Sequence, residues 1–223
     1  QFDADYIGTK NLLADAELCL MITEILNKCG LTDNDFTIRI SSRKILDELF
    51  QVLEIKSEAR RFKILRSLDK IDRLGWDEVK KLLGKGRKDQ SGDFTEGVDL
   101  TKDQINMISY FYKDLQGMIL KKVLGIKISE KEEQELNDFR KRTEAEGDSM
   151  KELIQLAKYI KLFGIKNSVP DLSVVRGLEY YTGPVFEATL NFGVKNSKGQ
   201  NVQFGSIGGG GRYDNLVNRF GNF

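Results

Sequence analysis

The chain has 223 residues, 40% apolar and 31% charged, with 21 glycines and 2 prolines; such a length buries ~70% of the extended surface, and the balance excludes collagenous, disordered and disulfide-scaffold classes. Its 35 basic residues stand against 34 acidic ones, so a nucleic-acid partner would need a local basic patch, not a global field. Histidine is absent, which removes Ser/His/Asp and Cys/His catalysis and mixed His/Cys zinc sites. No run of ~18 apolar residues occurs, and residues 1–10 carry neither a basic nor an apolar leader region, so a cytoplasmic protein without membrane association is expected.

Residues 11–29 place Leu12, Ala16, Cys19, Leu20, Thr23 and Leu26 near helical spacing, and Gly30 supplies a stop. Cys19 and Cys29, ten residues apart on that helix, would lie about 15 Å from each other, too far for a disulfide, and are expected as reduced core thiols. Residues 35–40 alternate Phe36, Ile38 and Ile40 with Thr37 and Arg39, a strand; Ser41 or Ser42 then offers an N-cap for a helix over RKILDELF.

From about Glu54 to Ile165 the pattern becomes short helical stretches at 58–71, 77–83, 102–112, 130–142 and 149–160, separated by polar breaks such as KGRKDQSGD and EGD. This predicts a helical insertion at 54–165 between two parts of a core, 1–53 and 166–223. Lys56 to Lys88 carries 12 basic and 5 acidic residues, whereas Ser129 to Asp148 carries 4 basic and 8 acidic. The first stretch is therefore the better nucleic-acid candidate, against the alternative of a solvated charged face.

After Pro170 come LSVVR, PVFEATL and NVQFGSI, rich in β-branched and aromatic residues. The connections GLEYYTG and NFGVKNSKGQ are too short for a parallel crossover, which predicts an antiparallel three-strand meander. It ends at Gly208 to Gly211, before a helix opening at RYDNLVNRF.

The glycine run is not a phosphate loop: Gly205 and Gly210 are followed by Gly211 and Arg212 in place of Lys and Ser/Thr, and Tyr213 stands where a dinucleotide motif needs its last glycine. A strand end approached closely by a ligand or by another strand remains. In VVRGLEYYTGPVFEA, Arg176 offers a fork of donors for a carboxylate or phosphate, and Tyr180 and Tyr181 offer hydroxyls for a polar ring. Structurally, the same residues would serve as an arginine paired with Glu179 or Glu187 and two packed tyrosines.

RGLEYYTGPVFEA and GGGGRYDNLV resemble the two signature segments of histidyl-tRNA synthetases, and the opening QFDADYIG resembles the closing strand of class II motif 2 in that family. Order and spacing agree along the whole chain. The resemblance implies an α+β fold, an antiparallel class II synthetase catalytic sheet with flanking helices and a helical insertion that leans on the tRNA acceptor stem.

By the same resemblance, Arg176 is the catalytic arginine that bridges the histidine carboxylate and the ATP α-phosphate. Tyr180 and Tyr181 belong to the histidine pocket; Gln1 meets the α-amino group and Asp5 the imidazole; Tyr213 walls the pocket, and Gly208, Gly209 and Gly210 let substrate approach the backbone. Glu179 replaces the commoner Asp, Thr182 and Pro184 vary a tolerant turn, and Asp5 is shorter than the Glu of some members. Lys80, Lys81, Lys85, Arg87 and Lys88 are the tRNA-binding candidates. ATP is implied as a substrate with Mg2+, no metal site of the protein's own is seen, and a homodimer is implied for the full-length protein.

Adenylate formation suits a histidine-free chain, because the substrate carboxylate is itself the nucleophile and the protein supplies positioning and charge. The expected function is ligation of histidine to its tRNA through histidyl-adenylate. The rival is a non-catalytic synthetase-like regulatory or sensor protein, disfavoured by the long insertion and by Arg176; a structural RNA-binding module would not need the Arg-Tyr-Tyr pocket. The chain opens inside motif 2 and stops after the GRYD segment, so these residues alone are expected to be inactive.

Overall fold

Asn11 sets the first element. Its side chain accepts a hydrogen bond from the Leu13 backbone and caps α1 (Leu12–Lys28), and Gly30, at φ +93°, ends the helix. Asp15, Ala16, Cys19 and Thr23 form its buried stripe. Cys29 lies past the last turn and is exposed, so only Cys19 is a core thiol. The strand β1 (Phe36–Ser42) follows, with Phe36, Ile38 and Ile40 buried as the alternation predicts, and runs into α2 (Arg43–Val52). Neither serine caps α2: Ser41 and Ser42 stay in the strand ladder, and their hydroxyls are buried without a hydrogen-bond partner.

The computed structural model describes residues 1–88, 92–143, 149–174, 180–202 and 205–214. Two units divide the chain, Gln1–Arg43 with Asp148–Phe223, and Lys44–Gly147. The second unit holds most of α2, then α3 (Glu58–Leu68), capped by Ser57, α4 (Ile71–Leu74) and α5 (Trp76–Leu83). A hairpin of β2 (Gly86–Lys88) and β3 (Phe94–Glu96) comes next, where the sequence reads as a polar break in an all-helical segment. Three-residue strands are too short to carry an alternation to read. What closes the hairpin is backbone proximity: a Cβ at Gly97 would lie 2.0 Å from the Gly84 carbonyl oxygen, and one at Gly86 2.3 Å from that of Thr95.

Thr101 and Gln104 form a capping box for α6 (Lys102–Tyr110), which passes through a π-helical turn at Phe111–Leu115 into α7 (Gln116–Val123). The helical stretch expected to stop at 112 thus reaches 123. A second capping box, Ser129 with Glu132, starts α8 (Glu130–Lys141). Phe50, Ile64, Leu83, Ile108, Phe111 and Leu115 are fully buried in this unit, and the Phe111 ring meets that of Phe139 at 5.9 Å.

In the first unit α9 (Ser149–Leu162) packs along α1, burying Leu153, Leu156 and Ile160. The strands β4 (Ser168–Pro170), β5 (Pro184–Leu190), β6 (Val194–Lys195), β7 (Asn201–Val202) and β8 (Ser206–Gly211) follow. The sheet has the order β4-β1-β5-β8. β5 is antiparallel to β1 and β8, as the short connections require, but β4 is parallel to β1. The short-connection argument does not reach this pair, since the whole segment 43–167 separates its strands and leaves either direction open.

Two further expectations change. NVQFGSI is not one strand: β7 pairs with β6 in a small hairpin, and β8 runs through the glycines. Leu172 to Val174 follow a turn at Asp171 and are not a strand, while Val175 and Arg176 lie outside the described residues; of the helix expected over RYDNLVNRF, Arg212 to Asp214 are not helical and 215–220 lie outside the described residues. Residues 1–8, expected as a closing strand, form no ladder among the described residues and are held by side chains instead. No helix among the described residues is long and apolar enough to cross a membrane.

Candidate active site

The sheet has two unlike faces. Ile38 and Ile40 pair in register with Ala188 and Phe186, all buried, on the side where α1 contacts β5 and α9 contacts β1. Thr37 and Arg39 pair with Thr189 and Glu187 on the other side, all partly exposed. The glycines of β8 obey the same alternation. A Cβ at Gly210 would come 2.8 Å from the Phe186 ring on the helix side, and one at Gly211 would come 2.8 Å from the Tyr181 ring on the other side. At Gly209 the Phe186 carbonyl oxygen lies 2.8 Å from the same point, whereas a Cβ at Gly208 would meet nothing within 4 Å. Of the two sequence readings, close approach by a neighbouring strand and its aromatics therefore accounts for Gly209, Gly210 and Gly211.

Continued past β8, the alternation sends Arg212 to the helix side and Tyr213 to the open side. Tyr213 donates a 2.6 Å hydrogen bond to the Asp5 carboxylate. Tyr180 donates to the Tyr181 hydroxyl oxygen at 3.3 Å, and their rings are 4.4 Å apart. Burial pushes the half-buried Tyr181 phenol above its ordinary value, helped by Tyr180 and by the nearby Asp5 and Tyr213. The hydrogen bond to Asp5 raises the Tyr213 phenol likewise. Four residues singled out from three distant segments, Asp5, Tyr180, Tyr181 and Tyr213, thus share one cluster. Its chemistry is that of a carboxylate with spare lone pairs beside the Tyr181 and Tyr213 phenols, which stay protonated at neutral pH, suited to a small polar ring with one donor and one acceptor.

Arg212 and Asp15 escaped the sequence reading. The Arg212 guanidinium pairs with both oxygens of Asp15 in the first turn of α1, and its remaining NH2 group donates to the Lys10 carbonyl at 2.9 Å. Burial raises Asp15 and Arg212 pulls it back; burial opposes the Arg212 charge, and Asp15 more than restores it. A signal existed, because Asp15 is an acid beside the apolar stripe of α1 and such a buried carboxylate requires a cation. The chain just after Tyr181 closes on the same arginine: Thr182 N donates to the Arg212 carbonyl at 2.7 Å, and Thr182 Oγ1 donates to Asp214 at 2.9 Å.

Arg176 lies outside the described residues. Upstream of it, Asp171 accepts from Arg39 at 3.1 Å and from the backbone and hydroxyl of Ser173, which anchors the chain to β1. Gln1 is exposed and its amide donates to Asp3, with no hydrogen bond to the tyrosine cluster among the described residues.

The family described as histidyl-tRNA synthetase matches residues 1–223. The chain belongs to the histidyl-tRNA synthetase family. It is 41% identical over 225 residues to a histidine–tRNA ligase of Rhizobium rhizogenes and 42% identical over 224 residues to one of Bartonella henselae, in each case across 99% of this chain. It spans 42% and 43% of the length of those curated relatives. Among solved structures, a histidyl-tRNA synthetase from Nostoc sp. PCC 7120 superposes with a TM-score of 0.62 at 28% identity, over 95% of this chain and 42% of that one. A Bacillus halodurans protein titled as an ATP phosphoribosyltransferase regulatory subunit/histidyl-tRNA synthetase shares the fold, with a TM-score of 0.57 at 20% identity over 96% of this chain and 46% of that one.

In this synthetase-family chain the basic candidates sit at the end of α5 and on the β2–β3 hairpin. They are not a bare positive face. Lys80 lies 3.8 Å from Asp77, Lys81 2.5 Å and Arg87 2.7 Å from Glu78, and Lys85 2.7 Å from Asp99; Lys88 is exposed on β2. Among the described residues no group of three or more His, Cys, Asp or Glu could hold a metal.

Proposed function

We propose that the protein carrying this chain ligates histidine to its tRNA, with ATP as co-substrate. The observation that carries this reading is the Tyr213–Asp5 hydrogen bond beside the Tyr180–Tyr181 pair, in a chain of this family. A neutral imidazole has one N–H donor and one nitrogen acceptor. Asp5 has lone pairs left to accept the N–H, and Tyr181, whose oxygen already accepts from Tyr180, has its own proton to donate to the other nitrogen. Amino acids without that donor and acceptor would leave both groups unpaired, the stronger mode of discrimination.

The histidine carboxylate oxygen attacks the α-phosphorus of ATP, pyrophosphate leaves, and the terminal ribose hydroxyl of the tRNA then attacks the acyl carbon and releases AMP. In this reading Arg176 bridges carboxylate and α-phosphate, Gln1 meets the α-amino group, and Gly208, Gly209 and Gly210 border the substrate. Lys80, Lys81, Lys85, Arg87 and Lys88 exchange their carboxylate partners for tRNA phosphates. A homodimer in the cytoplasm is the working form. No observation favours the regulatory or sensor alternative.

The test is histidine-dependent ATP–pyrophosphate exchange by the full-length protein and its Arg176→Ala variant. Loss of one charge-stabilising contact is worth ~3 to 4 kcal/mol, a fall of ~10² to 10³ in rate. No exchange by the wild-type protein would refute the function; full exchange by the variant would refute the role of Arg176.

A further inference from the structure

We propose that Arg212, braced by Asp15, is a positioning residue that sets the distance between Asp5 and Tyr213 and so shapes the amino-acid pocket. The inference rests on the histidine-pocket reading above.

One guanidinium ties three pieces of chain. Its Nε and one NH2 engage Asp15 on α1, and its other NH2 donates to the Lys10 carbonyl, five residues after Asp5. Its own backbone sits one residue before Tyr213 and is bonded on both sides, through Thr182 N to its carbonyl and through its N–H to the Pro184 carbonyl. Asp5 and Tyr213, 208 positions apart, are therefore held to a common post. Residues 1–10 have no ladder to hold them among the described residues, so side-chain anchors must set their place.

A planar fork suits this task. Two N–H groups meet one carboxylate while a third points at a carbonyl, a geometry that a lysine ammonium cannot reproduce. Asp15 is 5% exposed and the Arg212 side chain 13%, so water competes little with the pair. Gly183 packs against the Arg212 stem, where a Cβ would lie 3.3 Å from its Cδ, so the turn bearing Tyr181 rests on the same side chain.

The experiment uses the full-length protein with Asp15→Asn and Arg212→Lys. KM for histidine, KM for ATP and kcat are measured by pyrophosphate exchange, with a melting curve for each variant. Ionisation at position 213 is followed through the 19F resonance of 3-fluorotyrosine placed there. With the post loosened, histidine KM rises about tenfold for Asp15→Asn, equivalent to ~1.4 kcal/mol, while ATP KM stays level and position 213 ionises at lower pH. Arg212→Lys keeps the charge but not the fork and falls between. A histidine KM unchanged in both variants overturns the inference, as does a fall in kcat with both KM values unchanged, the mark of a purely structural pair. If the wild-type protein shows no exchange at all, the functional reading fails by itself, and the 19F titration still decides whether Asp15 holds Tyr213 to Asp5.

Discussion

Tyr213 donates to Asp5 at 2.6 Å, joining the first residues of the chain to the segment that follows the glycine strand. Neither residue is deeply buried, so their bond is organised by neighbours, not by a dry core. Replacing Tyr213 with Phe leaves the ring and removes the donor. In the full-length protein, histidine KM is expected to rise ~10- to 150-fold, the range of one hydrogen bond to a charged group, with ATP KM unchanged in pyrophosphate exchange. Asp5→Asn should act in the same direction and more strongly, because it removes the negative charge and leaves one acceptor oxygen where Tyr213 and the imidazole would share two.

The glycine strand yields a contrast. At Gly210 and Gly211 an added methyl would collide with the Phe186 ring or with the Tyr181 ring and the Pro184 carbonyl, whereas at Gly208 it would enter open space. Alanine at either crowded position is expected to destabilise by ~1 to 3 kcal/mol, the usual range for overpacking, read as a lower melting temperature. Gly208→Ala should melt like the wild-type protein. A raised histidine KM in that variant would mark Gly208 as a border of the substrate.

Charge reversal of Lys80, Lys81, Lys85, Arg87 and Lys88 is expected to weaken tRNA binding and flatten its salt dependence. Four of the five already face a carboxylate; the lysines are exposed and such pairs are worth less than ~1 kcal/mol, so phosphate can displace them at a small cost, whereas Arg87, with its side chain 17% exposed beside Glu78, yields less readily. Each exchange releases fewer counterions than a bare lysine would, and the lost slope of log K against log salt should fall well short of the ~4.5 of five independent phosphate contacts. Filter binding across a salt series measures it. Unchanged affinity at low salt would leave the basic residues as a solvated surface.

Glu132 carries a pH dependence of its own. Lys121 and the Ser129 backbone and hydroxyl hold its carboxylate from an ordinary 4.5 down to about 2. A depressed pKa contributes stability above the unfolded value and loses it as pH falls through the folded one. The start of α8 should therefore fray between about pH 4.5 and 2, seen as amide exchange at Glu132 and Glu133. Glu132→Gln should remove that step.

Much of this molecule could be read from local pattern. α1, β1 and the helical stretches of the second unit follow from periodicity, glycine stops and caps, because those signals act within a few residues of chain. The motif residues Asp5, Tyr180, Tyr181 and Tyr213 were legible through family resemblance, and the structure draws them together. The Asp15–Arg212 pair, the parallel β4–β1 edge, the exposure of Cys29 and the carboxylates beside Lys85 and Arg87 were decided only by tertiary structure, whereas the Lys80–Asp77 and Lys81–Glu78 pairs are neighbours three residues apart on α5. Arg212 and Asp15 are 197 positions apart, and β1 meets β4 across the whole segment 43–167. Sequence determined which faces would be apolar and which residues carry chemistry; which polar group meets which was decided by the closing of those long loops, since a buried charge must find its partner wherever the chain brings one.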